Sequence, residues 1–211
     1  MDRQIPLTSS ETPATVNIVA ADTVFQGYFR IDRYKLCHVT HAGGWTGIMT
    51  REIFERGHAV AVVPYDPWQD TVLLLEQFRI GALAGGKAAW QTEVVAGIID
   101  SNETPEDVAH RETREEAGER LHGLIPVYHY LVSPGGTTET VRLYCGIVDS
   151  RKAGGLHGLA EEHEDIRVQV WPFAEAWARM SAGDFDNAPT IIAMQWLALN
   201  RARLRKDYTT I

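Results

Sequence analysis

The feature that most constrains the fold is a helix whose two ends are both marked in the sequence, at Thr104 and at Gly118. Thr104 is a good N-cap residue, and Pro105 suits the first helical position, where a backbone N–H has no helical partner. Asp107 follows three residues after Thr104, the spacing at which an acidic side chain completes a capping box. Gly118 is a natural C-terminal stop. The sequence therefore predicts a helix over residues 105–117.

The predicted helix has a narrow face of small side chains that repeat every four residues: Ala109, Thr113 and Ala117. Such a face allows a helix to lie close to a sheet. Glu116 borders this face, so we expect its carboxylate to be partly withdrawn from water.

Three carboxylates lie on one side of the helix, at Glu112, Glu115 and Glu116. At about 100° per residue they share an arc of about 100°. Arg111 stands four residues before Glu115 and can pair with it. The like-charged pair of Glu112 and Glu116 costs an isolated helix about 0.2–0.5 kcal/mol. A hard divalent cation such as Mg²⁺ binds carboxylate oxygens and phosphates, so it reverses this repulsion and favours a metal site over a solvated acidic face.

Apolar runs on both sides of this helix predict strands at residues 58–66, 71–79, 91–99, 125–133, 140–148 and 166–172. Residues 150–165 are Gly-rich and acidic, which predicts a long mobile loop. Two more helices are predicted over residues 173–183 and 188–204, the second with a buried face of Ile191, Ile192, Trp196 and Leu199. Strands that alternate with helices in this way predict an α/β domain with a mixed sheet and helices on its faces.

The N-terminal part is rich in β-forming residues from residue 14 to residue 56. A Gly-Gly turn at Gly43 and Gly44 separates two strand-like segments and predicts a hairpin. A lone hairpin is marginally stable in water, so it must pack on the rest of the chain or on a second copy. We therefore divide the chain into an N-terminal β-rich segment, residues 1–57, and a second domain, residues 58–211.

Charge and composition exclude several classes of function. The net charge is -8 and no Lys/Arg run is present, which argues against nucleic acid as a partner. No apolar run approaches the roughly 18 residues of a membrane span, and the N-terminus has no apolar leader. Cys37 and Cys145 are far apart and match no zinc-binding spacing. Two isolated thiols suit a reducing compartment, so we expect a cytoplasmic protein with no membrane partner.

Residues 97–119 resemble the Nudix box, G-x5-E-x7-R-E-U-x-E-E-x-G-U with U apolar, at seven fixed positions: Gly97, Glu103, Arg111, Glu112, Glu115, Glu116 and Gly118. Thr113 and Glu119 stand where the family usually has apolar residues, and neither position carries a ligand. The resemblance implies an α/β/α sandwich with a mixed sheet. It also implies hydrolysis of a nucleoside diphosphate linked to another group, with Mg²⁺, or Mn²⁺ as a substitute.

The resemblance extends to the ADP-ribose pyrophosphatase branch of the family. It covers REIFERGHAVAVVPYD, LLLEQFR, SPGGTTE and GLAEEHEDIRV, and Pro134 stands about sixteen residues beyond Gly118, where that branch has a proline. This implies hydrolysis of ADP-ribose to AMP and ribose 5-phosphate. Two alternatives stay open: hydrolysis of another nucleotide sugar such as GDP-mannose, or a non-catalytic sensor of ADP-ribose. The intact box carboxylates favour an enzyme.

The same resemblance implies a role for individual residues. Metal ligands are implied at Glu112, Glu116 and Glu164 and at the carbonyl of Ala96. Glu162 is implied as the general base, and Glu115 as a catalytic residue that Arg111 orients. Arg79 is implied as a contact of the diphosphate.

Substrate contacts at the adenosine end are implied for Tyr28, Phe29, Arg51, Glu52 and Arg56. Contacts on the ribose-phosphate side are implied for Ile98, Ser133, Pro134, Gly135 and Glu139. The resemblance further implies a homodimer in which the N-terminal segment exchanges between subunits, so that the active sites are shared.

Overall fold

The computed structural model describes residue 7 and residues 12–209, except for the side chains of Glu162 and Thr209. These residues fall into two compact units. The N-terminal unit runs to His58 and also includes Tyr130–Thr140. The main unit comprises Ala59–His129 and the chain from Val141 onward.

The N-terminal unit is a three-stranded antiparallel sheet of β1 (Val16–Gln26), β2 (Arg30–His38) and β3 (Met49–Glu55). The predicted hairpin is present as β2 and β3, with Tyr34 opposite Arg51. The sequence pattern did not separate β1, which pairs with β2 on its other side. The segment Tyr130–Thr140 is held to this sheet by the Phe54 N–H, which donates to the Gly136 carbonyl at 2.8 Å.

The main unit contains the remaining strands: β4 (Ala59–Asp66), β5 (Thr71–Phe78), β6 (Trp90–Glu93), β7 (Val95–Ile98), β8 (Gly123–Leu131), β9 (Thr140–Ile147), β10 (Gly155–His157) and β11 (Ile166–Pro172). Its helices are α1 (Ile80–Ala84), α2 (Pro105–Ala117), α3 (Phe173–Ala182) and α4 (Ala188–Thr209). The strand order is β10-β11-β5-β4-β9-β8, with β6 beside β5 and β7 beside β4. The sheet is mixed, because β4 and β9 run parallel while β4 and β5 run antiparallel.

Helices cover both faces of this sheet, as predicted. Val60 and Val62 of β4 pack in one cluster with Val108 and Ala109 of α2. Side chains alternate along a strand, so the intervening Ala61 lies on the opposite face. Helix α4 packs on β4 and β6. The fold is therefore the predicted α/β/α sandwich with a mixed sheet.

The predicted strand over residues 91–99 is divided at Val94. Its N–H donates to the side-chain oxygen of Thr190 at 3.0 Å instead of continuing a ladder. On one side of this point Glu93 pairs with Leu75 of β5, and on the other Ala96 pairs with Ala61 of β4. The chain thus changes partner strands just before the box begins.

Two other predictions were wrong in part. Residues 150–165 are not one loop, because they include β10, which pairs with β11. The buried face of α4 is formed by Thr190, Ala193, Met194, Leu197 and Leu204. Leu199 is 84% exposed. Apolar residues lie on several sides of α4, so the periodicity alone did not identify the side that packs on the sheet.

No helix in the described part of the chain is both long and apolar enough to cross a membrane.

Candidate active site

Helix α2 begins and ends where the sequence predicts. The Asp107 N–H donates to Thr104 Oγ1 and the Thr104 N–H donates to Asp107 Oδ2, each at 3.2 Å, which completes the capping box. Gly118 ends the helix with φ of 70°. A side chain there would also meet the His157 ring, because an added Cβ would lie 2.4 Å from it. Gly118 therefore provides both the turn and the room for His157.

Gly97 is required for a different reason, since its φ is not in the left-handed region. A Cβ added at Gly97 would lie 1.8 Å from Glu112 Oε1. The bare backbone of β7 therefore makes the space into which the Glu112 carboxylate fits. This contact joins the start of the box, at Gly97 on β7, to its glutamates on α2.

Glu116 is almost completely buried, with 3% of its surface exposed. The Ala96 N–H donates to its Oε2 at 2.9 Å. The small face of α2 explains this depth, because Ala109, Thr113 and Ala117 are all buried. The predicted close packing of α2 is therefore confirmed.

Arg111 organises the other box carboxylates. Its Nε and Nη2 donate to the two oxygens of Glu103 at 2.8 and 3.0 Å. Its Nη1 donates to Glu112 at 2.7 Å and to Glu115 at 3.1 Å, which confirms the predicted pairing with Glu115. The hydrogen bonds to Glu103 raise the pKa of Arg111, so this cation persists at any working pH.

Burial raises the pKa of Glu112 to about 7, although Arg111 opposes the shift. Burial also raises the pKa of Glu116 to about 8, against the hydrogen bond from Ala96 and with repulsion from Glu112. Both carboxyls are therefore poised to lose their protons when a positive charge arrives.

This pair fits a divalent cation in its chemistry, because such cations prefer carboxylate oxygens and because Arg111 and the Ala96 N–H compensate the charge of the pair only in part. The described side chains contain no group of three or more His, Cys, Asp or Glu residues that could hold a metal ion. A complete ligand set therefore needs more than this pair, from the Glu162 side chain, backbone oxygens or water.

The loop with the predicted acidic residues is attached to the end of α2. The Gly158 N–H donates to the Glu115 carbonyl at 3.3 Å. Glu164 accepts a hydrogen bond from the Leu159 N–H at 3.1 Å, which closes a short turn. Glu162 ends a 3₁₀ turn over Ala160–Glu162, and its side chain lies outside the described part of the structure.

Two predicted substrate contacts lie in the main unit. Arg79 follows β5; its Nε donates to Glu93 Oε2 at 2.9 Å, and its Nη2 lies 2.8 Å from the same oxygen. Burial opposes the charge of Arg79, but the negative charges of Glu116 and Glu164 help to raise its pKa. Ile98 ends β7, opposite Ala59. Sequence analysis missed Glu93, although an acidic residue within the apolar segment QTEVVAGII was a signal for it.

Four predicted contacts come together in the N-terminal unit. The rings of Tyr28 and Phe29 meet edge to face at a centroid distance of 4.8 Å, and Tyr28 is largely exposed. The Arg56 guanidinium lies 5.8 Å from the centre of the Phe29 ring. Arg56 Nε also lies 3.6 Å from Glu139 Oε2. Burial raises the pKa of Glu139, opposed by Arg56 and His58.

The other predicted contacts of this unit are exposed. Glu52 accepts hydrogen bonds from Arg33 at 3.0 and 2.6 Å, and Arg51 Nη1 donates to the Thr50 carbonyl. The loop containing Ser133, Pro134 and Gly135 is exposed as well. The structure therefore groups Tyr28, Phe29, Arg56 and Glu139. The five residues outside this group are Arg51, Glu52, Ser133, Pro134 and Gly135.

Comparison with known proteins gives a consistent result. The family model for the NUDIX domain matches residues 55–207. The ADP-ribose pyrophosphatase of Escherichia coli strain K12 is 44% identical over 193 residues, which cover 92% of each chain. The ADP-ribose pyrophosphatase of Haemophilus influenzae is 42% identical over 196 residues, covering 92% of this chain and 90% of that protein. A GDP-mannose pyrophosphatase of Cronobacter sakazakii is 33% identical over 150 residues, covering 71% of this chain and 78% of the relative.

Among solved structures, an ADP compounds hydrolase matches with a TM-score of 0.69 at 19% identity. The match covers 92% of this chain and 98% of that one, and it supports the fold alone. The family model spans well over half of the chain and includes every box residue described above. The chain therefore belongs to the Nudix family.

Proposed function

We propose that this protein hydrolyses the pyrophosphate bond of ADP-ribose to give AMP and ribose 5-phosphate. The observation that carries the proposal is the buried pair of Glu112 and Glu116 within a complete box. The substrate follows from relatives named ADP-ribose pyrophosphatase at 42–44% identity.

We propose Mg²⁺ as the cofactor, with Mn²⁺ as a substitute. Glu112, Glu116 and the Ala96 carbonyl would hold it, and Glu164 would join them after a movement of its loop, because the described side chains form no group of three that could hold a metal ion. When bound, the ion would neutralise charge on the diphosphate. The incompletely compensated charge of the buried pair supports the first two ligands. The negative charge of Glu164 helps to raise the pKa of both Glu112 and Glu116, which supports Glu164 as a further ligand of the same ion.

The chain's own groups supply the rest of the chemistry. Arg79 presents a planar guanidinium that suits two phosphate oxygens. Glu162 acts as the general base that takes a proton from the attacking water. Glu115 acts beside it, and its carboxylate is oriented by Arg111. Attack in line with the leaving phosphate then separates AMP from ribose 5-phosphate.

We assign the adenosine end to Tyr28, Phe29, Arg51, Glu52 and Arg56, and the ribose-phosphate side to Ile98, Ser133, Pro134, Gly135 and Glu139. The paired rings of Tyr28 and Phe29 support the first assignment, because the exposed Tyr28 ring, which meets the half-buried Phe29 ring edge to face, can stack on a base.

We further propose that the N-terminal segment, residues 1–57, mediates a homodimer, and that residues 58–211 form the catalytic domain. The support is a set of exposed apolar side chains on the N-terminal unit: Val19, Val24, Phe25, Val39, Trp45 and Ile48. Exposed apolar side chains mark contact sites where they form a continuous patch. Light scattering of the protein as it leaves a size-exclusion column tests this, and we expect a mass twice that of one chain.

A cytoplasmic location is supported by the free thiols of Cys37 and Cys145.

The deciding experiment is a coupled phosphatase assay with Mg²⁺ that compares ADP-ribose, GDP-mannose and other nucleotide sugars. Preferential cleavage of ADP-ribose, with AMP and ribose 5-phosphate identified by mass, is the expected result. Preferential cleavage of GDP-mannose would instead favour the function of the 33% identical relative. Binding of ADP-ribose without cleavage of any candidate would indicate a sensor and contradict the proposal.

A further inference from the structure

Arg79 is held in place by a chain of partly buried hydrogen bonds that begins at Glu93. Glu93 is buried, and both of its carboxylate oxygens have partners. Oε2 accepts from Nε of Arg79 at 2.9 Å and lies 2.8 Å from Nη2. Oε1 accepts from Asn187 Nδ2 at 2.9 Å. Glu93 therefore lies between the arginine and a residue 94 positions later in the chain.

Asn187 is itself fixed, because it caps helix α4. Its backbone carbonyl accepts from the Ile191 N–H at 3.1 Å. Its Oδ1 accepts from the Thr190 N–H at 3.1 Å, and a backbone N–H can only donate. The amide oxygen must therefore face the helix, so the amide nitrogen must face Glu93. The orientation of this donor is set by the helix end.

The chain of contacts closes on the strand that carries Glu93. Thr190 Oγ1 donates to Asn187 Oδ1 at 3.0 Å and accepts from the Val94 N–H at 3.0 Å. Val94 directly follows Glu93 and is the point at which β6 gives way to β7. Glu93 is thus fixed through its side chain and through the next residue by the same helix end.

One edge of the guanidinium is engaged by Glu93, while the other stays available. Nη1 of Arg79 has no hydrogen-bond partner among the described residues. The side chain of Arg79 is 42% exposed, against 7% for Glu93. A planar guanidinium held along one edge presents its remaining N–H groups in a fixed direction, which suits phosphate oxygens.

Stability alone does not account for this arrangement. Burying an ion pair brings little net stability, because the desolvation of both charges offsets their attraction. Replacing such a pair by well-packed apolar side chains is often neutral or stabilising. What the ion pair does supply is a single orientation of Arg79.

We propose that Glu93 and Asn187 are positioning residues that orient the Arg79 guanidinium toward the diphosphate of the substrate. The inference rests on the proposed function for the identity of the anion. It concerns two residues that act through Arg79 and do not touch the reacting atoms.

The test isolates the link between Asn187 and Glu93. Asn187→Ser keeps an oxygen that can cap α4 and removes the amide donor. We expect kcat/KM for ADP-ribose to fall about tenfold, the scale of a hydrogen bond to a charged group. Glu93→Gln should lower kcat/KM about a hundredfold, because it also removes the charge that holds Arg79. Asp186→Asn is the matched control, since the partner of Asp186 among the described residues is exposed Lys87, at 3.4 Å, and the variant should leave kcat/KM unchanged.

A double-mutant cycle separates positioning from general destabilisation. In an Arg79→Lys background, Asn187→Ser should change kcat/KM by less than about twofold, because the group it positions is already altered. Near-UV circular dichroism and Tm verify that each variant folds. An equal loss in the wild-type and Arg79→Lys backgrounds would overturn the proposal.

A second readout does not depend on activity. The NMR resonance of the Arg79 Nε–H, assigned by its disappearance in Arg79→Lys, should shift in both Glu93→Gln and Asn187→Ser and stay in place in Asp186→Asn. If the wild-type protein cleaves no nucleotide sugar, the proposed function fails, and this resonance alone decides whether Arg79 is positioned. A resonance that does not move in either variant would overturn the inference.

Discussion

Asp66 and Glu116 are two carboxylates of the main unit that are about equally buried, at 1% and 3% exposure, but their partners differ. Asp66 accepts four hydrogen bonds, from the N–H groups of Trp68, Gln69 and Ser150 and from the Ser150 hydroxyl, all at 2.8 or 2.9 Å. Glu116 accepts one from the described residues, from the Ala96 N–H.

The difference separates a structural carboxylate from a functional one. A buried charge costs several kcal/mol unless its environment compensates it, on the order of the desolvation penalty for an ion. The turn after β4 provides that compensation for Asp66 within the protein. The end of α2 leaves Glu116 without it, which raises its pKa to about 8 and leaves its charge to be neutralised by a ligand.

The largest expected effect comes from removing these two charges in turn. Glu116→Gln should lower kcat about a thousandfold while Tm in EDTA at pH 8 stays equal or rises, because a poorly compensated charge is lost. Asp66→Asn should do the opposite. It should destabilise the fold by about 1–3 kcal/mol, since an amide N–H₂ now faces donors, and leave kcat nearly intact. Steady-state kinetics and denaturant unfolding measure both.

Glu112→Gln belongs with Glu116→Gln and should also lose most activity with the fold intact. Glu106→Gln is the control on the same helix, because an amide oxygen can still accept from the Tyr144 hydroxyl, now at 2.7 Å from Glu106. Full activity in either box variant would remove that residue from the proposed ligands. A loss of stability in Glu116→Gln matching that of Asp66→Asn would abolish the contrast between the two sites.

The second effect concerns the base on the acidic loop. Glu162→Gln should lower kcat by about a hundredfold, the scale of general base catalysis, and leave the affinity for Mg²⁺ within about twofold. Kinetics and calorimetric titration with Mg²⁺ in the absence of substrate measure the two quantities. Glu161→Gln is the neighbouring control. An unchanged kcat in Glu162→Gln would return the loop to a solvated acidic segment.

Much of α2 could be predicted because its determinants are local. The cap at Thr104, the stop at Gly118 and the Arg111–Glu115 pair all depend on residues within one or two helical turns. Each is present in the structure with the expected geometry. Local hydrogen bonds and steric limits leave few alternatives for such a segment.

The parts that could not be predicted depend on residues far apart in the chain. The division of the strand at Val94 depends on Thr190, and the orientation of Arg79 depends on Asn187 through Glu93. The buried side of α4 depends on which face of the sheet it meets. In these cases the two partners lie too far apart for one sequence window to contain both. Periodicity and motif spacing therefore could not predict the contacts.

The third effect is a decline of stability with rising pH, to which the box pair should contribute most, because its two carboxyls have the largest rises in pKa among the described carboxyl groups. In EDTA, Glu112 and Glu116 have folded pKa values of about 7 and about 8, above the value of 4.5 for an unperturbed carboxyl. The folded state therefore holds protons that the unfolded state releases. The stability from these groups is complete below about pH 4.5 and declines as the pH rises through 7 and 8.

Unfolding in urea at pH 5, 6, 7 and 8 measures this decline. Its slope should approach about 1.4 kcal/mol per pH unit for each proton that differs between the two states. Glu112→Gln combined with Glu116→Gln should flatten the profile, and saturating Mg²⁺ should remove the decline because it stabilises the ionised pair. A free energy of unfolding in EDTA that stays constant from pH 5 to pH 8 would contradict the poor compensation of the buried Glu116 charge, on which the comparison with Asp66 depends.

The smallest effect should come from Arg56, which pairs loosely with the largely buried Glu139. Arg56 Nε lies 3.6 Å from Glu139 Oε2, and the two side chains are 38% and 11% exposed. Because this distance is too long for a hydrogen bond and the Arg56 end is solvated, Arg56→Gln should lower the free energy of unfolding by only about 1 kcal/mol. If Arg56 binds the substrate, Arg56→Gln should raise KM for ADP-ribose severalfold with kcat preserved. An interaction that is equally strong in the ground state and the transition state affects KM alone. Lys35→Gln on β2 makes the same change of charge on an exposed residue of the same sheet and should alter neither constant. A fall in kcat with unchanged KM would place Arg56 with the box residues in its effect, and equal behaviour of the two variants would remove it from the substrate contacts.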